Sequence, residues 1–325
     1  MKTRPLAKTG LMLSEIGFGA GPLGGFYGPV DADAGAAAAR RAHALGITYF
    51  DVAPLYGHGR AELALGHALR DLPRNSFVLS TKVGRYLLPA GERWQPARTR
   101  DAGVPFNPVL DYSRDGAVRS LEQSLLRLGT SRIDLVYIHD VDAHSQGSDE
   151  AAEVAFREAM AGALPALVEL KAQGVIRAIG VGINQAHWAL RWLHEAPLDA
   201  LMLAGRLTLL NREAEDGVLQ LCKERAVAYI AAGAFNGGLL ARGPDASWRY
   251  NYREAPEAVR TRYAALVDSA RRANVDIKAA AIQFPLRRPE VASLVVGASS
   301  PNEVEENVQL LATPIDEAFF ASLPP

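Results

Sequence analysis

The chain has 325 residues and is nearly neutral, with 35 basic against 36 acidic side chains and 49% hydrophobic residues. That balance gives no general attraction to nucleic acid or to an anionic membrane, and the apolar share is enough for a sizeable core. Cys222 is the only cysteine, which excludes an internal disulfide and a cysteine-cluster metal site. The N-terminus, MKTRPLAKTG, lacks the apolar core of a secretion signal, and no run of 18 apolar residues occurs. The expectation is a cytoplasmic protein with no membrane partner.

In chain order, residues 3–14 (TRPLAKTGLMLS) hold a Lys-Thr-Gly turn between two β-prone pieces and read as a hairpin. Residues 16–19 form a first buried strand, followed by the glycine-rich loop GFGAGPLGG and an alanine-rich helix over 31–44. A strand-then-helix rhythm continues. Strands are expected near 47–51, 77–82, 133–138, 175–181, 199–204, 227–232 and 292–296. Helices are expected near 59–70, 115–128, 161–173, 185–195, 214–225, 257–274 and 276–287. Continuous apolar runs such as DLVYI and SLVVG suit a parallel sheet covered on both faces. Eight such units without a composition break predict one α/β domain over 1–325, a closed (β/α)8 (TIM) barrel preceded by the hairpin. A doubly wound open sheet is the alternative. It lacks an acid at the end of the second strand in the ribose-binding sense, and a glycine-rich loop alone is a weak nucleotide signal.

Three connections after strands are long: 84–114, 140–160 and 234–256. All would overhang the carboxyl rim. They carry aromatics, Tyr86, Trp94, Phe106 and Tyr112 in the first and Phe235, Trp248, Tyr250 and Tyr252 in the third, which suit a wall for a sugar or ring substrate or a shield for the barrel top.

Three apolar runs deliver a titratable residue at a strand end: Asp51 after ITYF, Lys82 after FVLST, His139 after IDLVYI. Tyr56 lies in the turn just beyond Asp51. In a parallel barrel these ends share the rim where active sites sit. The residue types suit hydride transfer to or from a carbonyl carbon, which needs one proton moved at oxygen. A phenol with a reference pKa of about 10 is a poor base at neutral pH. An ammonium beside it favours the phenolate. Asp51 would hold Lys82 charged, and His139 would orient the substrate oxygen. The alternative for Asp51 and Lys82 is a buried structural ion pair. The other histidines show no metal-ligand spacing, so no metal is expected.

DVAPLYG, STK and YIH, with the terminal GASSPNEVEEN (297–307), resemble the aldo-keto reductase family. IHDVD (138–142), AGRLTLLN (204–211) and GAFNGGLLA (233–241) resemble the branch of that family with D-threo-aldose (L-fucose) 1-dehydrogenases and pyridoxal 4-dehydrogenase. The resemblance implies that Asp51, Tyr56, Lys82 and His139 are catalytic, with Tyr56 the general acid/base. It implies a nicotinamide cofactor held by Gly19, Ala20, Gly21, Asp51, Gly182 and Asn184. Gly182 stands where the family carries a serine for the carboxamide, and Ala204 near its glutamine. Phe235, Asn236, Gly238 and Leu239 match the segment covering the pyrophosphate, with Gly238 and Leu239 offering backbone N–H groups.

Gly297, Ser299, Glu303, Glu306 and Asn307 match the adenosine segment. There Gly297, Ala298 and Glu303 replace the lysine, serine and arginine that grip the 2′-phosphate of NADP. A phosphate monoester carries about −1.5 to −2 charge, so this set favours NAD. Glu303 is alternatively the solvated face of a helix. The implied reaction is oxidation of an aldopyranose at C1 to its lactone with NAD. Tyr56, His139, Asp140 and Trp248 are candidate substrate contacts, and Asp142 and Arg206 are further candidates for hydroxyl recognition. Asp140 and Asp142 could equally cap the following loop. The alternatives are pyridoxal oxidation, reduction of a small aldehyde, or a nucleotide-sensing binding module like the channel subunits of that family. The expected partner is a small sugar or carbonyl compound, and the expected state a monomer or homodimer.

Overall fold

A computed structural model describes residues 1–25, 31–91, 104–244, 248–250 and 253–323. Eight parallel strands close into a barrel in sequential order: β1 (Ile16–Gly19), β2 (Tyr49–Asp51), β3 (Val78–Val83), β4 (Leu135–His139), β5 (Ala178–Ile183), β6 (Ala200–Ala204), β7 (Ala228–Ala232) and β8 (Val291–Gly297). All eight overlap the strands expected from the sequence.

Period-2 alternation explains how the barrel is filled. On β3, Val78 belongs to the core inside the barrel, while Leu79 and Val83 belong to the core beneath the helices. On β4, Leu135 and Tyr137 point in, while Val136 and Ile138 point out. The N-terminal hairpin, Thr3–Pro5 paired with Met12–Ser14, closes the bottom. Leu6, Leu11 and Leu13 pack there against Tyr49, Leu135 and Ala178. Arg4 holds the hairpin by donating to the carbonyls of Leu286 (2.7 Å) and Val291 (2.8 Å). Burying each leucine contributes about 1.5–3 kcal/mol, so the plug stabilises the barrel floor as well as covering it.

The outer layer shows why some helices were legible and others were not. Asp31 caps Ala32–Ala44 and Ser113 caps Arg114–Leu128, both accepting from backbone N–H groups. The connection over 140–160, expected as a loop, instead contains the helix Asp149–Ala161. Its buried Ala152, Ala155, Phe156 and Ala159 recur at helical spacing, and Ser148 caps it. Pro301–Ala312, expected only as the alternative reading of Glu303, follows β8 and is capped by Ser300. The connection after β3 begins as a hairpin, Arg85–Pro89 with Phe106–Leu110. Trp94 and Tyr252 lie outside the described residues. No helix among the described residues is long and apolar enough to cross a membrane.

Candidate active site

Three inward-facing columns end at the carboxyl rim: Tyr49–Asp51 on β2, Val78–Ser80–Lys82 on β3, and Leu135–Tyr137–His139 on β4. The alternation that fills the barrel therefore also delivers Asp51, Lys82 and His139 to one place. Lys82 Nζ donates to Asp51 Oδ2 at 2.7 Å and to the Val52 carbonyl at 2.9 Å. Both side chains are almost wholly buried. Each charge would be very costly alone, and removing either partner would strand the other.

Tyr56 joins them from the turn after β2. Gly57 (φ +61°) lies directly against Gly24; a Cβ on either would sit 2.5 Å from the other's backbone segment, so the turn is fixed onto the loop after β1. Lys82 Nζ lies 5.0 Å from the Tyr56 ring centroid. The Tyr56 and His139 rings meet edge-on, centroids 6.2 Å apart. The four residues expected to act together are brought together.

Burial pushes His139 down to about 3, with Lys82 and Arg85 adding to the fall and Asp140 opposing it, so the imidazole is neutral at physiological pH. Its Nε2 lies 3.4 Å from Asp140 Oδ1. Asp140 has φ +62°, a left-handed conformation held by the bond from its N–H to the Gly182 carbonyl and by Arg85, whose Nη1 donates to Oδ2 at 2.8 Å. Burial raises the Asp140 carboxyl, but His139 and Arg85 outweigh it and hold the group below its ordinary value. Sequence reasoning missed Arg85, which looks like any loop arginine. Tyr112, expected in a substrate wall, is instead buried, with its hydroxyl donating to the His139 carbonyl (2.7 Å) and accepting from Gln146 (3.0 Å). Asp142 does not face a substrate either. Fully buried, it accepts from the Asn184 backbone and side chain and caps residues 143–146. Arg206 is buried against Gly205 and Glu213.

On the cofactor side, Gly182 pairs with His139 across β4 and β5. A Cβ there would lie 3.7 Å from His139 Cδ2 and 3.8 Å from Lys82 Cε, so the residue adjoins both of those rim side chains. Asn184 follows at the strand end, its side-chain nitrogen 3.2 Å from Asp142 and from Ser145. Gly19 pairs with Asp51 in the barrel register, the Ala20 N–H donates to the Asp51 carbonyl, and Gly21 sits beside the Tyr56 ring. After β7, the Gly238 N–H closes a turn onto the Phe235 carbonyl at 3.0 Å. It therefore points into the loop, contrary to the expectation that it is offered to a phosphate. Leu239 is buried, and Phe235 packs on the core.

Asn236, in the same turn, is buried at φ +47°, and neither its amide nitrogen nor its amide oxygen has a hydrogen-bond partner. Leaving such a group unmet costs about 1–3 kcal/mol, so this loop fits a polar guest. Trp248 stacks edge-on with Tyr263 and carries Arg260 on its face, so its ring is engaged by the helix Glu257–Arg272.

At the other end, Gly297 closes β8 against Pro22. Glu303 accepts from both the N–H (2.7 Å) and hydroxyl (2.9 Å) of Ser299. Glu306 pairs with Lys278, a neighbour the sequence did not reveal, and Asn307 is buried. Among the described residues no cluster of His, Cys, Asp or Glu has metal-site geometry.

Residues 15–324 match the aldo/keto reductase family. The chain belongs to that family. It is 38% identical to pyridoxal 4-dehydrogenase of Microbacterium luteolum, over 98% of this chain and 96% of that protein. It is also 38% identical to D-threo-aldose 1-dehydrogenase of a Pseudomonas species, over 98% and 95%. Among solved structures, a holo-form aldo-keto reductase from Bacillus halodurans superposes with a TM-score of 0.76 at 26% identity, covering 100% of this chain and 97% of that one. This aldo/keto reductase is therefore an oxidoreductase of a family that works with nicotinamide cofactors. The buried orphan amide of Asn236 and the glycines lining the rim fit such a group.

Proposed function

We propose that this aldo/keto reductase oxidises an aldose at C1 to the lactone with NAD. Asp51, Tyr56, Lys82 and His139 are proposed as the catalytic set. A bound nicotinamide supplies the acceptor for the hydride that leaves C1. The chain's own residues handle the proton. Tyr56, beside the Lys82 ammonium, takes the hydroxyl proton of the substrate as general base. Asp51 keeps Lys82 in place, and neutral His139 orients the reacting oxygen by a hydrogen bond.

The observation that carries the sugar reading is the half-buried Arg85–Asp140 pair abutting His139. A carboxylate 3.4 Å from the imidazole can accept a hydrogen bond from the hydroxyl next to the reacting carbon, and a guanidinium can donate to another. Similarity to D-threo-aldose 1-dehydrogenase supports the same substrate class. Equal identity to pyridoxal 4-dehydrogenase makes pyridoxal the second reading.

NAD is favoured because Gly297, Ala298 and Glu303 stand where a phosphate would need cations, and the Lys278 ammonium is taken by Glu306. The test is initial NADH formation with L-fucose, D-arabinose, L-galactose and pyridoxal, with NAD+ and then NADP+. Turnover of a sugar with NAD+ is expected. Preference for NADP+ would overturn the cofactor assignment, and turnover of pyridoxal alone would overturn the sugar. Tyr56→Phe is expected to lower kcat by about 10²–10⁴ while cofactor binding persists; a near-normal rate would sink the role of Tyr56.

A further inference from the structure

Below the catalytic rim, the barrel interior holds polar groups that neither packing nor the proposed chemistry of Tyr56 requires. Tyr49 and Tyr137 are fully buried, with their hydroxyl oxygens 2.9 Å apart. Ser80 Oγ lies 3.1 Å from the Tyr49 hydroxyl and 2.6 Å from Asp51 Oδ1, the carboxylate oxygen that Lys82 does not use. The floor is built to admit the two rings. A Cβ on Gly17 would come within 2.6 Å of the Tyr49 ring, and one on Gly180 within 2.6 Å of the Tyr137 ring. Phenylalanine or leucine would fill this space without hydroxyls to satisfy.

Ser80 Oγ also lies 3.4 Å from the Phe50 carbonyl, but the far shorter contact to Asp51 decides where its proton goes. Ionised Asp51 accepts only, so Ser80 must give it its single proton. The Ser80 oxygen is then an acceptor, and Tyr49 donates to it. Tyr137 in turn donates to Tyr49. Three hydroxyl protons thus point one way, toward Asp51. Lys82 closes the end, its Nζ 5.0 Å from the Tyr56 ring centroid and 5.9 Å from that of Tyr137.

We infer that Tyr137, Tyr49 and Ser80 form a one-way hydrogen-bond chain that fixes the Asp51 carboxylate and thereby sets the ammonium field in which Tyr56 gains and loses its proton. They are positioning residues, since none is needed to touch substrate. A donor on Asp51 draws carboxylate charge away from Lys82, leaving more of the ammonium's field for the phenolate of Tyr56. Without it, Asp51 neutralises Lys82 more fully and the phenolate is harder to form. The charged and titratable groups around this pair are Lys82, Asp51, His139 and Tyr49 beside Tyr56, with Arg85 and Asp140 behind His139. The inference rests on the proton-transfer role proposed for Tyr56.

The test is the ultraviolet titration of the Tyr56 phenolate, taken as the difference between each protein and its Tyr56→Phe counterpart. Burial pushes Tyr49 and Tyr137 well above the ordinary phenol range, which keeps their signals out of the window. Ser80→Ala is expected to move the Tyr56 midpoint upward by about one pH unit. Tyr49→Phe should move it less in the same direction, and Ser80→Thr should restore it. The alkaline rise of kcat/KM for oxidation should shift with the midpoint. An unmoved midpoint in both Ser80→Ala and Tyr49→Phe, or a rate loss equal at every pH, overturns the chain. Should Ser80→Ala fail to fold, Tyr49→Phe, which removes one oxygen, decides alone. A Tyr56→Phe enzyme with near-normal turnover would instead overturn the role of Tyr56, a result separate from an unmoved midpoint.

Discussion

Gly182→Ser restores the side chain that resembling enzymes place against the nicotinamide carboxamide, and the structure fixes what it should do. Gly182 lies on β5 without a left-handed φ, so a Cβ carries no backbone strain. The atoms nearest to that Cβ, in His139, Tyr137 and Lys82, are 3.7–3.8 Å away, ordinary contact that displaces nothing. Serine should therefore fold as well as glycine, and its hydroxyl adds one neutral hydrogen bond to the bound amide. Such a bond is worth about 0.5–1.5 kcal/mol, which predicts a Kd for NAD+ lower by about 2–12-fold. Gly182→Ala is the control, with the Cβ but no hydroxyl, and should bind like the parent. Fluorescence titration with NAD+ measures all three. Weaker or unchanged binding by a well-folded serine variant would mean that the nicotinamide does not lie beside β5, and the cofactor pose would fail with it.

Three other outcomes follow from the same geometry. His139 is held at about 3, below its ordinary 6.5, so the unfolded chain binds a proton that the fold refuses. Stability should therefore fall as pH drops from about 6.5 toward about 3, by up to ~1.4 kcal/mol per pH unit from this group, and His139→Gln should lose less Tm between about pH 7 and about pH 5 than the parent. Equal losses would refute the assignment. Glu62, fully buried on the helix Arg60–Leu69, accepts from Thr81 (2.8 Å) and pairs with Arg127 (2.6 Å). Glu62→Ala should cost about 3–5 kcal/mol in urea denaturation, and a loss below about 1 kcal/mol would show that the helix docks without it. Glu303→Arg should raise the NADP+/NAD+ ratio of kcat/KM by about tenfold or more through a charge-assisted bond to the 2′-phosphate. No change, with Glu303→Gln equally silent, would confine Glu303 to closing its helix on Ser299.

The barrel was legible because a strand buried on both faces must be apolar on its outer face and compact on its inner one, and runs such as VLSTK and LVYIH meet both demands. A lysine or histidine closing such a run has no place except the rim. What stayed hidden depends on contacts between segments far apart in sequence. DEAAEVAFREAMA carries the spacing of an amphipathic helix, but its buried face is mostly alanine, a weak hydrophobic signal. Arg85, Tyr112 and Lys278 acquire meaning only from the partners that the fold brings to them, Asp140, the His139 carbonyl and Glu306. Gly238 shows the limit for backbone groups, since no residue pattern tells whether an N–H faces a guest or closes its own turn.

The inner columns also join stability to chemistry. Tyr49, Ser80 and Tyr137 serve the barrel and the site at once, because the rim groups stand directly above them. Asp51 is reached from beneath by Ser80 and from the rim by Lys82, and Tyr49 and Tyr137 fill the middle of the barrel while supplying the donors. In a solvated pocket these hydroxyls would exchange partners with water and pass little on. In a packed interior their short contacts hold one arrangement, so a change two residues below the rim reaches the phenol above it. Among the described residues the loops over the rim reach the site through Arg85 and Tyr112, and substitutions elsewhere in them should change which substrate is taken more than how its proton is moved.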